Sequence, residues 1–434
     1  MTLQWSPMGF REVDRPMHIL FVTPYVPSPI RTRPFNLIKH LAASHDVELV
    51  TLAQSRQERE EALALGDYCS AVRTVFMPRW QSLCNCVRAL PGPTPMQAAY
   101  CRSAGMEEAI TRAIVENSQR RFDVMHVEHL RAARYGWAST SIPAVFDSVD
   151  CISLLMDRTV RQNGRLARRL VGLLEADKTR RYEGLIIRRY PRVLVTSDAD
   201  RNALLKMEPR SDIQVLTNGV DLDYFHPPGI AREERTLVFS GKMSYHANEE
   251  AVLYFCRQIL PLIWHGDDRV RLVIAGSAPS GRIRALAGDP RITVTGYVDD
   301  MRRYIGGAAL AVCPMVYGVG IQNKVLEAMA MGTPVVATSQ AASALSAEAK
   351  ERIAIADSPR DFASSVLGLL KDRELRLSLG NAGRRYVEEF HDWKRTTQKL
   401  VATYEEVRDR WQRQNAGSMP GRPSSQPVLM GRRE

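Results

Sequence analysis

The chain has 434 residues, of which 45% are hydrophobic and 25% charged, proportions typical of a globular protein with two or three domains. No apolar run approaches the roughly 18 residues that a membrane-spanning helix needs. Residues 1–16 also lack the apolar core of a secretory signal and are expected to be a disordered extension. These features argue against an integral membrane protein and against a secreted one.

The seven cysteines are odd in number, and none of them forms a Cys-x-x-Cys pair. A disulfide framework or a structural zinc site would require such pairing. The cysteine pattern therefore favours a reducing cytoplasmic compartment and predicts no metal site.

From Met17 onward, short β-branched runs alternate with longer amphipathic stretches, the pattern of β-α-β units in a parallel sheet. The strand candidates of the first half are His18–Val22, Val47–Leu52, Val124–Val127, Ala144–Phe146 and Val193–Thr196. Each is mostly apolar on both faces, as expected for a sheet covered by helices on both sides. A helix is predicted at Phe35–Ala42 and a loop at Arg88–Pro95. Residues 17–207 are accordingly predicted to form an N-terminal Rossmann-like domain.

Polar side chains in or after three of these strands are candidates for binding a substrate. Arg31 and Arg33 follow the first strand, and His126 lies in the third. Asp147 and Asp150 follow the fourth. In doubly wound sheets the carboxyl ends of the strands face the ligand crevice. The arginines are therefore candidates for phosphate contacts, with solvated arginine and packed histidine as the alternatives.

Basic residues are concentrated between Cys151 and Arg192, where eleven of them face four acids. Leucines are interleaved with these charges. Two interpretations are open: a solvated helix face over a core stripe, or adsorption to an anionic membrane surface through residues 151–192. No aromatic interleaving or recognised motif accompanies the charge, so nucleic acid is not expected as a partner.

The pattern pauses at Thr217–Gly229, where Asn-Gly and Pro-Pro pairs predict a turn inside a linker over residues 217–235. A second series of strands follows at Thr236–Phe239, Val270–Ala275, Ile292–Thr295, Leu310–Cys313, Val335–Ala337 and Ile353–Ile355. Helices are expected between them, for example at Glu249–Leu262 and Lys324–Met331. The second half is therefore predicted to repeat the architecture of the first.

The predicted boundaries divide the rest of the chain into three parts. Residues 208–390 are expected to form the C-terminal Rossmann-like domain. A helix over 391–413 is expected to pack back toward the N-terminal domain. The polar, Pro- and Gly-rich residues 414–434 are expected to be a disordered tail.

The segment from Pro314 to Thr338 joins a buried strand, a glycine-containing loop and a helix that begins near Asn323. Glycines let the backbone approach a ligand, and the N–H groups at a helix start favour an anion such as a diphosphate. Lys324 adds a positive charge in the first turn. Glu327 lies on the same helix face, where its carboxylate can accept hydrogen bonds from ribose hydroxyls. Further residues predicted to contact the donor are Gly318, Gly320, Ile321, Gln322, Asn323 and Val325. A strand, glycine loop and helix also occur as a plain structural turn in many α/β proteins.

The strings Glu327-Ala-Met-Ala and Gly332-Thr-Pro-Val-Val resemble the nucleotide-sugar site of retaining glycosyltransferases of the GT-B fold, specifically glycosyltransferase family 4. The resemblance spans roughly residues 17–410. It implies two doubly wound Rossmann-like α/β domains that face each other across a cleft, and it implies that Glu327 binds the ribose of the donor. The first acid of the usual family pattern is replaced by Val319, but Gly-x-Gly followed by Lys-x-x-Glu over residues 318–327 matches a branch of the family.

A second motif, Phe239-Ser-Gly-Lys, follows the first strand of the second domain. It resembles the family's Gly-Arg/Lys site, whose cation touches the diphosphate, and so implies this role for Lys242 with Gly241 beside it. The family's usual second lysine is absent, and Ala247 and Asn248 lie in its place. Lys324 is the candidate to compensate for it. An isolated lysine after a strand is otherwise usually a solvated residue.

The resemblance implies a metal-independent hexosyltransferase that acts with retention and takes a nucleotide sugar as its substrate, with no cofactor. Lys242, Lys324 and the helix start would stabilise the leaving diphosphate. The implied acceptor is a glycan or lipid-linked glycan of the kind used in bacterial exopolysaccharide assembly. Two alternatives are a degenerate module that binds nucleotide sugars without turnover and a nucleotide-sugar epimerase.

Overall fold

A computed structural model describes residues 15–29, 31–137, 141–162, 166–227, 229, 231–317 and 322–416. Only the backbone is described at 158–162, 166–171 and 416. The predicted extension over 1–16 and tail over 414–434 therefore lie almost entirely outside the described residues. Residues 414–416 form the last turn of a helix instead of the start of the tail.

The first half of the chain forms a sheet of seven parallel strands within the described residues. The strands are β1 His18–Thr23, β2 Asp46–Ala53, β3 Ala71–Phe76, β4 Val124–Glu128, β5 Ala144–Val149, β6 Arg192–Val195 and β7 Ile213–Val215. Its helices are α1 Thr32–Leu41, α2 Arg56–Leu63, α3 Arg79–Ala89, α4 Met96–Tyr100, α5 Ala104–Glu116, α6 Ala133–Trp137, α7 Ile152–Gln162, α8 Leu166–Ile187 and α9 Asp198–Met207. The order β3-β2-β1-β4-β5-β6-β7 is that of a doubly wound sheet.

The second half forms a sheet of six parallel strands in the order β10-β9-β8-β11-β12-β13. The strands are β8 Glu233–Ser240, β9 Arg271–Ala275, β10 Ile292–Gly296, β11 Ala308–Cys313, β12 Val335–Ala337 and β13 Ala354–Ile355. The helices are α10 His246–Tyr254, α11 Leu260–Gly266, α12 Gly281–Arg284, α13 Met301–Gly307, α14 Asn323–Ala330, α15 Ala347–Lys350, α16 Pro359–Lys371, α17 Arg373–Phe390 and α18 Trp393–Ala416. A π-helical turn at Phe255–Ile259 joins α10 to α11. Each half of the chain therefore forms one Rossmann-like domain, and together they give the two-domain architecture that the sequence predicts.

Two predicted boundaries are corrected by the strand pairing. Residues 208–216 were assigned to the second domain, but β7 pairs with β6 in register and extends the first sheet. The predicted linker over 217–235 is shorter, because β8 already begins at Glu233. The first domain thus continues to about residue 216 before the chain crosses over.

The C-terminal helix α18 returns to the first domain. Its Trp393, Leu400, Tyr404 and Val407 are buried in one of the two cores of that domain, beside Leu37 of α1. The crossing between the domains is close-packed here, since a Cβ on Gly219 would lie 2.7 Å from the Trp393 ring. No helix among the described residues is long and apolar enough to span a bilayer.

The strand orders locate the ligand-binding edge of each sheet. In the first sheet, the order in which the chain adds parallel strands reverses between β1 and β4. In the second sheet, it reverses between β8 and β11. In open parallel sheets, ligands bind outside the carboxyl ends of strands at such switch points. The loops after β8 and β11 are the two segments that the sequence predicts to hold the donor.

Candidate functional site

The two predicted donor loops lie side by side because β8 and β11 are neighbours. The loop after β8 begins with Gly241 and Lys242. The loop after β11 leads to α14, which begins at Asn323. Gly318, Gly320 and Ile321 lie outside the described residues. The two segments therefore meet at the switch point of the second sheet.

Two glycines make the floor of this site. Gly241 has φ of 142° and Gly276, after β9, has φ of 148°, values that disfavour a side chain. A Cβ on Gly276 would lie 1.8 Å from the carbonyl oxygen of Gly241. A Cβ on Gly241 would lie 2.9 Å from Asn248 Nδ2 and 3.5 Å from Lys324 Nζ. The two backbones touch each other, and the Lys324 ammonium lies directly beside them.

Lys324 carries a positive charge whose direct contacts are neutral groups. Its Nζ donates to Asn248 Oδ1, lies 4.3 Å from the centre of the Phe239 ring and 3.9 Å from Met315 Sδ. No carboxylate lies within ion-pair distance of it among the residues that the structure describes. Burial lowers the pKa of Lys324, which shows the cost of holding the charge here. An anionic ligand would remove this cost.

Asn248 connects the two loops, although the sequence indicated only that it replaces a lysine. It is buried, its Nδ2 donates to the Lys242 carbonyl at 2.9 Å, and its Oδ1 accepts from Lys324. A second lysine at this position would repel Lys324. The amide instead orients Lys324 and fixes the loop that carries Lys242. Local sequence gave no sign of this bridge, since its partner lies 76 residues away.

The side chain of Lys242 is exposed at the rim of the site, while its backbone is held firmly. Its carbonyl accepts from Tyr245 N at 3.1 Å as well as from Asn248. The next N–H, that of Met243, donates to Ser277 O at 2.9 Å. Lys242 thus presents a solvated ammonium on a fixed loop, whereas Lys324 presents a partly buried one.

Glu327 follows Lys324 by one helical turn and is half-buried. Burial raises its pKa to about 7, and the charge of Lys324 opposes this shift. The described residues supply no hydrogen bond to its carboxylate that would stabilise the charged form. Glu327 therefore has unused acceptor capacity at the site, the property required to bind ligand hydroxyls.

The start of α14 adds backbone donors to the same place. Its N-cap residue, Gln322, makes no side-chain hydrogen bond to the helix, and the helix has no acid in its first turn. The first N–H groups of a helix carry partial positive charge and favour anions. Val325 is a correction to the predicted contacts. Its side chain is buried in the core and its N–H donates to Gln322 O at 2.8 Å.

Asn323 links this site to the first domain. Its Oδ1 accepts from Asn218 Nδ2 at 3.4 Å. Asn218 Oδ1 in turn accepts from Arg33 at 2.9 Å. Arg33 was predicted to contact substrate phosphate, but it is buried, and its Nε and Nη2 both lie 2.8 Å from Asp147 Oδ2. Arg33 and Asp147 therefore form a buried ion pair that holds the domain crossing, which corrects both predictions.

His126 is a further correction. It is fully buried, its ring stacks on Phe21 at 4.2 Å, and its Nδ1 lies 2.8 Å from the Tyr404 hydroxyl of α18. Burial lowers the pKa of His126 to about 4, so the ring is neutral near pH 7. It is a packing residue between the first sheet and the returning helix, as the alternative interpretation held.

Arg31 lies at the rim of the first sheet and is half-exposed. It pairs with Glu58 at 2.9 Å and its guanidinium lies 4.8 Å from the Tyr25 ring centre. Tyr25 donates to Glu128 Oε1 at 3.0 Å. Burial raises the pKa of Glu128 to about 8, and its Oε2 has no partner among the described residues. Tyr25 and Glu128 therefore mark the switch point of the first sheet, where nothing in the sequence indicated Tyr25.

Asp150 is the predicted first-domain residue that faces the second domain. It accepts from Thr196 at 3.2 Å, and burial together with the charge of Asp200 raises its pKa to about 6. The neighbouring Val149 has φ of 67°, an uncommon conformation for a β-branched residue. Burial and the charge of Asp150 raise the pKa of Tyr245, at the start of α10. Asp150 and Tyr245 thus approach each other across the cleft.

Two family models match consecutive parts of the chain. A "Glycosyl transferase 4-like domain" matches residues 30–219, and "Glycosyl transferases group 1" matches residues 234–372. The first range ends and the second begins within the crossing between the domains. The loops that carry Lys242, Lys324 and Glu327 all lie within the second match.

Curated relatives match part of the chain. An MMP alpha-(1->4)-mannosyltransferase of Mycolicibacterium hassiacum is 28% identical over 56% of this chain and 59% of its own length. A phosphatidyl-myo-inositol mannosyltransferase of Mycobacterium leprae is 28% identical over 45% of this chain and 54% of its own length. The chain thus spans less than two thirds of each of these relatives.

Solved structures match nearly the whole fold. Sucrose-phosphate synthase from Thermosynechococcus elongatus superposes with a TM-score of 0.67 at 17% identity, over 90% of this chain and 99% of that one. Anabaena HepE in complex with UDP superposes with a TM-score of 0.65 at 14% identity, over 90% and 100% of the two chains. The chain therefore has the two-domain GT-B fold, and each of its two domains is similar to a glycosyltransferase family model.

Proposed function

We propose that this protein transfers a hexosyl group from a nucleoside-diphosphate sugar to a glycan or lipid-linked glycan, with retention and without a metal ion. The observation that carries the proposal is the position of a partly buried Lys324 one helical turn before Glu327, whose carboxylate accepts no hydrogen bond from the described residues. Together they offer a cation for a diphosphate and a carboxylate for a ribose. The relatives act on mannosyl groups, and a structural neighbour binds UDP and UDP-glucose.

The proposed donor lies with its diphosphate at the first turn of α14, between Lys324 and the loop of Lys242. Its ribose hydroxyls donate to Glu327. As the bond from the sugar C1 to the diphosphate oxygen breaks, negative charge grows on the diphosphate. Lys324, Lys242 and the helix N–H groups stabilise that charge more in the transition state than in the ground state.

The proposed acceptor lies against the first domain, near Asp150 and the Tyr25–Glu128 pair. Its hydroxyl oxygen forms the new bond to C1 on the face that the diphosphate leaves. The departing diphosphate takes the hydroxyl proton, so the step balances without a protein base. Sugar configuration at C1 is then retained.

We place this reaction at the inner face of the cytoplasmic membrane, in polysaccharide assembly. The support is the basic stretch 151–192, in which Arg181 and Arg188 are 81% and 70% exposed. The pair of Arg181 with the half-exposed Asp177 contributes little, and the charge of Arg188 is solvated on one side although its partner Glu208 is 19% exposed. The residues Arg158, Arg161, Arg165, Arg168 and Arg169 have side chains outside the described part of the chain.

The first experiment screens UDP, GDP and ADP, each with its glucose and mannose derivatives, by thermal shift and then by transfer of labelled sugar. Glu327→Gln and Lys324→Met are compared with Glu374→Gln and Lys371→Met, exposed surface controls. We expect loss of transfer in the first pair and none in the second. NMR of the product's anomeric signal checks retention. Donor binding without transfer would favour a degenerate binder, and an isomerised donor would favour an epimerase.

A further inference from the structure

Helix α3 exposes a row of large hydrophobic side chains. Trp80, Leu83 and Val87 are 66%, 62% and 64% exposed, and Leu90, the C-cap, is 51% exposed. Their spacing of three and four residues puts them on one side of the helix. Phe76, just before the helix, is 50% exposed. We call Trp80, Leu83, Val87 and Leu90 the α3 apolar face.

The side of α3 that faces the protein is polar. Ser82 is fully buried and accepts from Gln54 at 3.1 Å. Asn85 donates to the Arg102 carbonyl at 2.8 Å. A surface helix of a globular protein normally has the opposite arrangement, with its apolar side inward. Contiguous exposed apolar surface of this kind indicates a binding surface, whereas single exposed hydrophobic residues do not.

The chain segment that carries the α3 apolar face is cationic. The sequence contains no Asp or Glu between Asp67 and Glu107. Arg79 and Arg88 are exposed at the two ends of α3. The face is therefore apolar in the middle and positively charged at its edges, without a nearby acid on its own segment.

Helix α8 adjoins the end of α3 and extends this surface. Lys178 Nζ donates to the Leu90 carbonyl at 2.7 Å, and Met96 N donates to Glu175 at 2.9 Å. Leu174, one turn before Lys178 on the same side of α8, is 61% exposed. The α3 apolar face and the side of α8 that carries Leu174 and Lys178 thus adjoin each other.

We propose that the α3 apolar face inserts into the interface of an anionic lipid bilayer, while Arg79 and Arg88 contact its headgroups. This inference deepens the proposed function, because it names the surface that brings the enzyme to a lipid-linked acceptor. A protein partner would have to supply acids around an apolar patch, whereas an anionic bilayer presents both over any area. Tryptophan also suits an interface where one side is apolar and the other wet.

The position of α3 fits this role. It follows the carboxyl end of β3, and the cleft lies outside the carboxyl ends of the same sheet. Helix α7 begins at that same edge, after β5. Docking through α3 and α8 therefore holds the acceptor side of the cleft near the bilayer, where a lipid-linked acceptor can reach it.

The test is flotation of the full chain with vesicles of phosphatidylglycerol and phosphatidylcholine, or of phosphatidylcholine alone. The triple variant Trp80→Ser, Leu83→Ser, Val87→Ser removes the face. The matched control is Leu63→Ser with Val115→Ser, which are 74% and 64% exposed elsewhere on the same domain. We expect the wild type and the control to bind the anionic vesicles and the triple variant to bind about tenfold more weakly or worse.

Failure to float with anionic vesicles, or equal flotation of the triple variant, would overturn the inference. The inference would also be overturned if the wild type were an oligomer that does not bind vesicles and the triple variant were a monomer. That result would assign the α3 apolar face to a protein contact. Labelling the exposed Cys84 with a polarity-sensitive fluorophore gives a second readout. Its emission should shift to the blue with anionic vesicles, and an unchanged spectrum counts against insertion. Donor binding and transfer to a soluble acceptor are measured in parallel, so failure of the proposed transfer is seen separately.

Discussion

The affinity for an intact nucleotide sugar should fall about tenfold between about pH 8 and pH 6, because Glu327 takes up a proton. Its pKa in the free protein is about 7. Ribose hydroxyls donate to the carboxylate, so binding favours its charged form and lowers its pKa. The affinity for the nucleotide sugar is therefore highest well above pH 7 and falls as the pH drops through that value. If only the charged form binds, the change over this interval is a factor of about ten.

Calorimetric titration of the donor at several pH values measures this change. Both phosphates of an intact nucleotide sugar are esterified, so the ligand itself does not titrate in the interval. Glu327→Gln should bind weakly at every pH, with a flat profile. The variant should also melt at a higher temperature than the wild type at pH 8, since burying the charged carboxylate then destabilises the free protein. A pH-dependence that persists in Glu327→Gln would refute the assignment of this carboxylate to the ribose.

Three further outcomes follow from the same contacts. Lys324→Met should lower kcat by about a hundredfold or more while weakening donor binding less, because its charge matters most as the diphosphate leaves; steady-state kinetics check this. Gly276→Ala should lower the melting temperature and weaken donor binding, because its Cβ would meet the Gly241 carbonyl at 1.8 Å. Asp147→Ala should cost about 3–5 kcal/mol in urea denaturation because it leaves a buried guanidinium unpaired, and a double variant with Arg33→Met should recover part of that loss.

The architecture was predictable because most strands of both sheets are continuous apolar runs. Those that the sequence missed are the exceptions to that rule. β3 is an edge strand whose Val-Arg-Thr-Val run is only partly buried, and β7 is three residues long and also at an edge. Missing β7 placed the domain boundary too early. Edge strands bury one side less completely and therefore leave a weaker pattern.

The shared helix face of Lys324 and Glu327 was predictable for a different reason. Lys324 and Glu327 are one helical turn apart in sequence, so their common face follows from helix geometry alone. Asn248 was not predictable, because its partner comes from another strand-to-helix loop. The arrangement that local spacing determines was predicted, and the contact that tertiary packing determines was missed.

Three of the first-domain predictions, Arg33, His126 and Asp147, failed for a shared physical reason. Polar and charged residues near the carboxyl end of a strand face either a ligand or other segments of the chain that pack at the same place. In this chain α18 and the domain crossing fill that space. His126 therefore meets Tyr404, and Asp147 meets Arg33. Sequence spacing does not reveal this competition, because α18 lies near the other end of the chain.

These same buried residues connect the two sites. Arg33 is fixed by Asp147 and donates to Asn218 at 2.9 Å, whereas Asn218 reaches Asn323 at 3.4 Å. The longer contact is the weaker one, since hydrogen bonds lose strength toward the upper end of the distance range. Separation of the domains would therefore break the bond to Asn323 first and leave Asn218 with the first domain. Asn323, the first residue of α14, is thus linked to the first domain through the side-chain amide of Asn218.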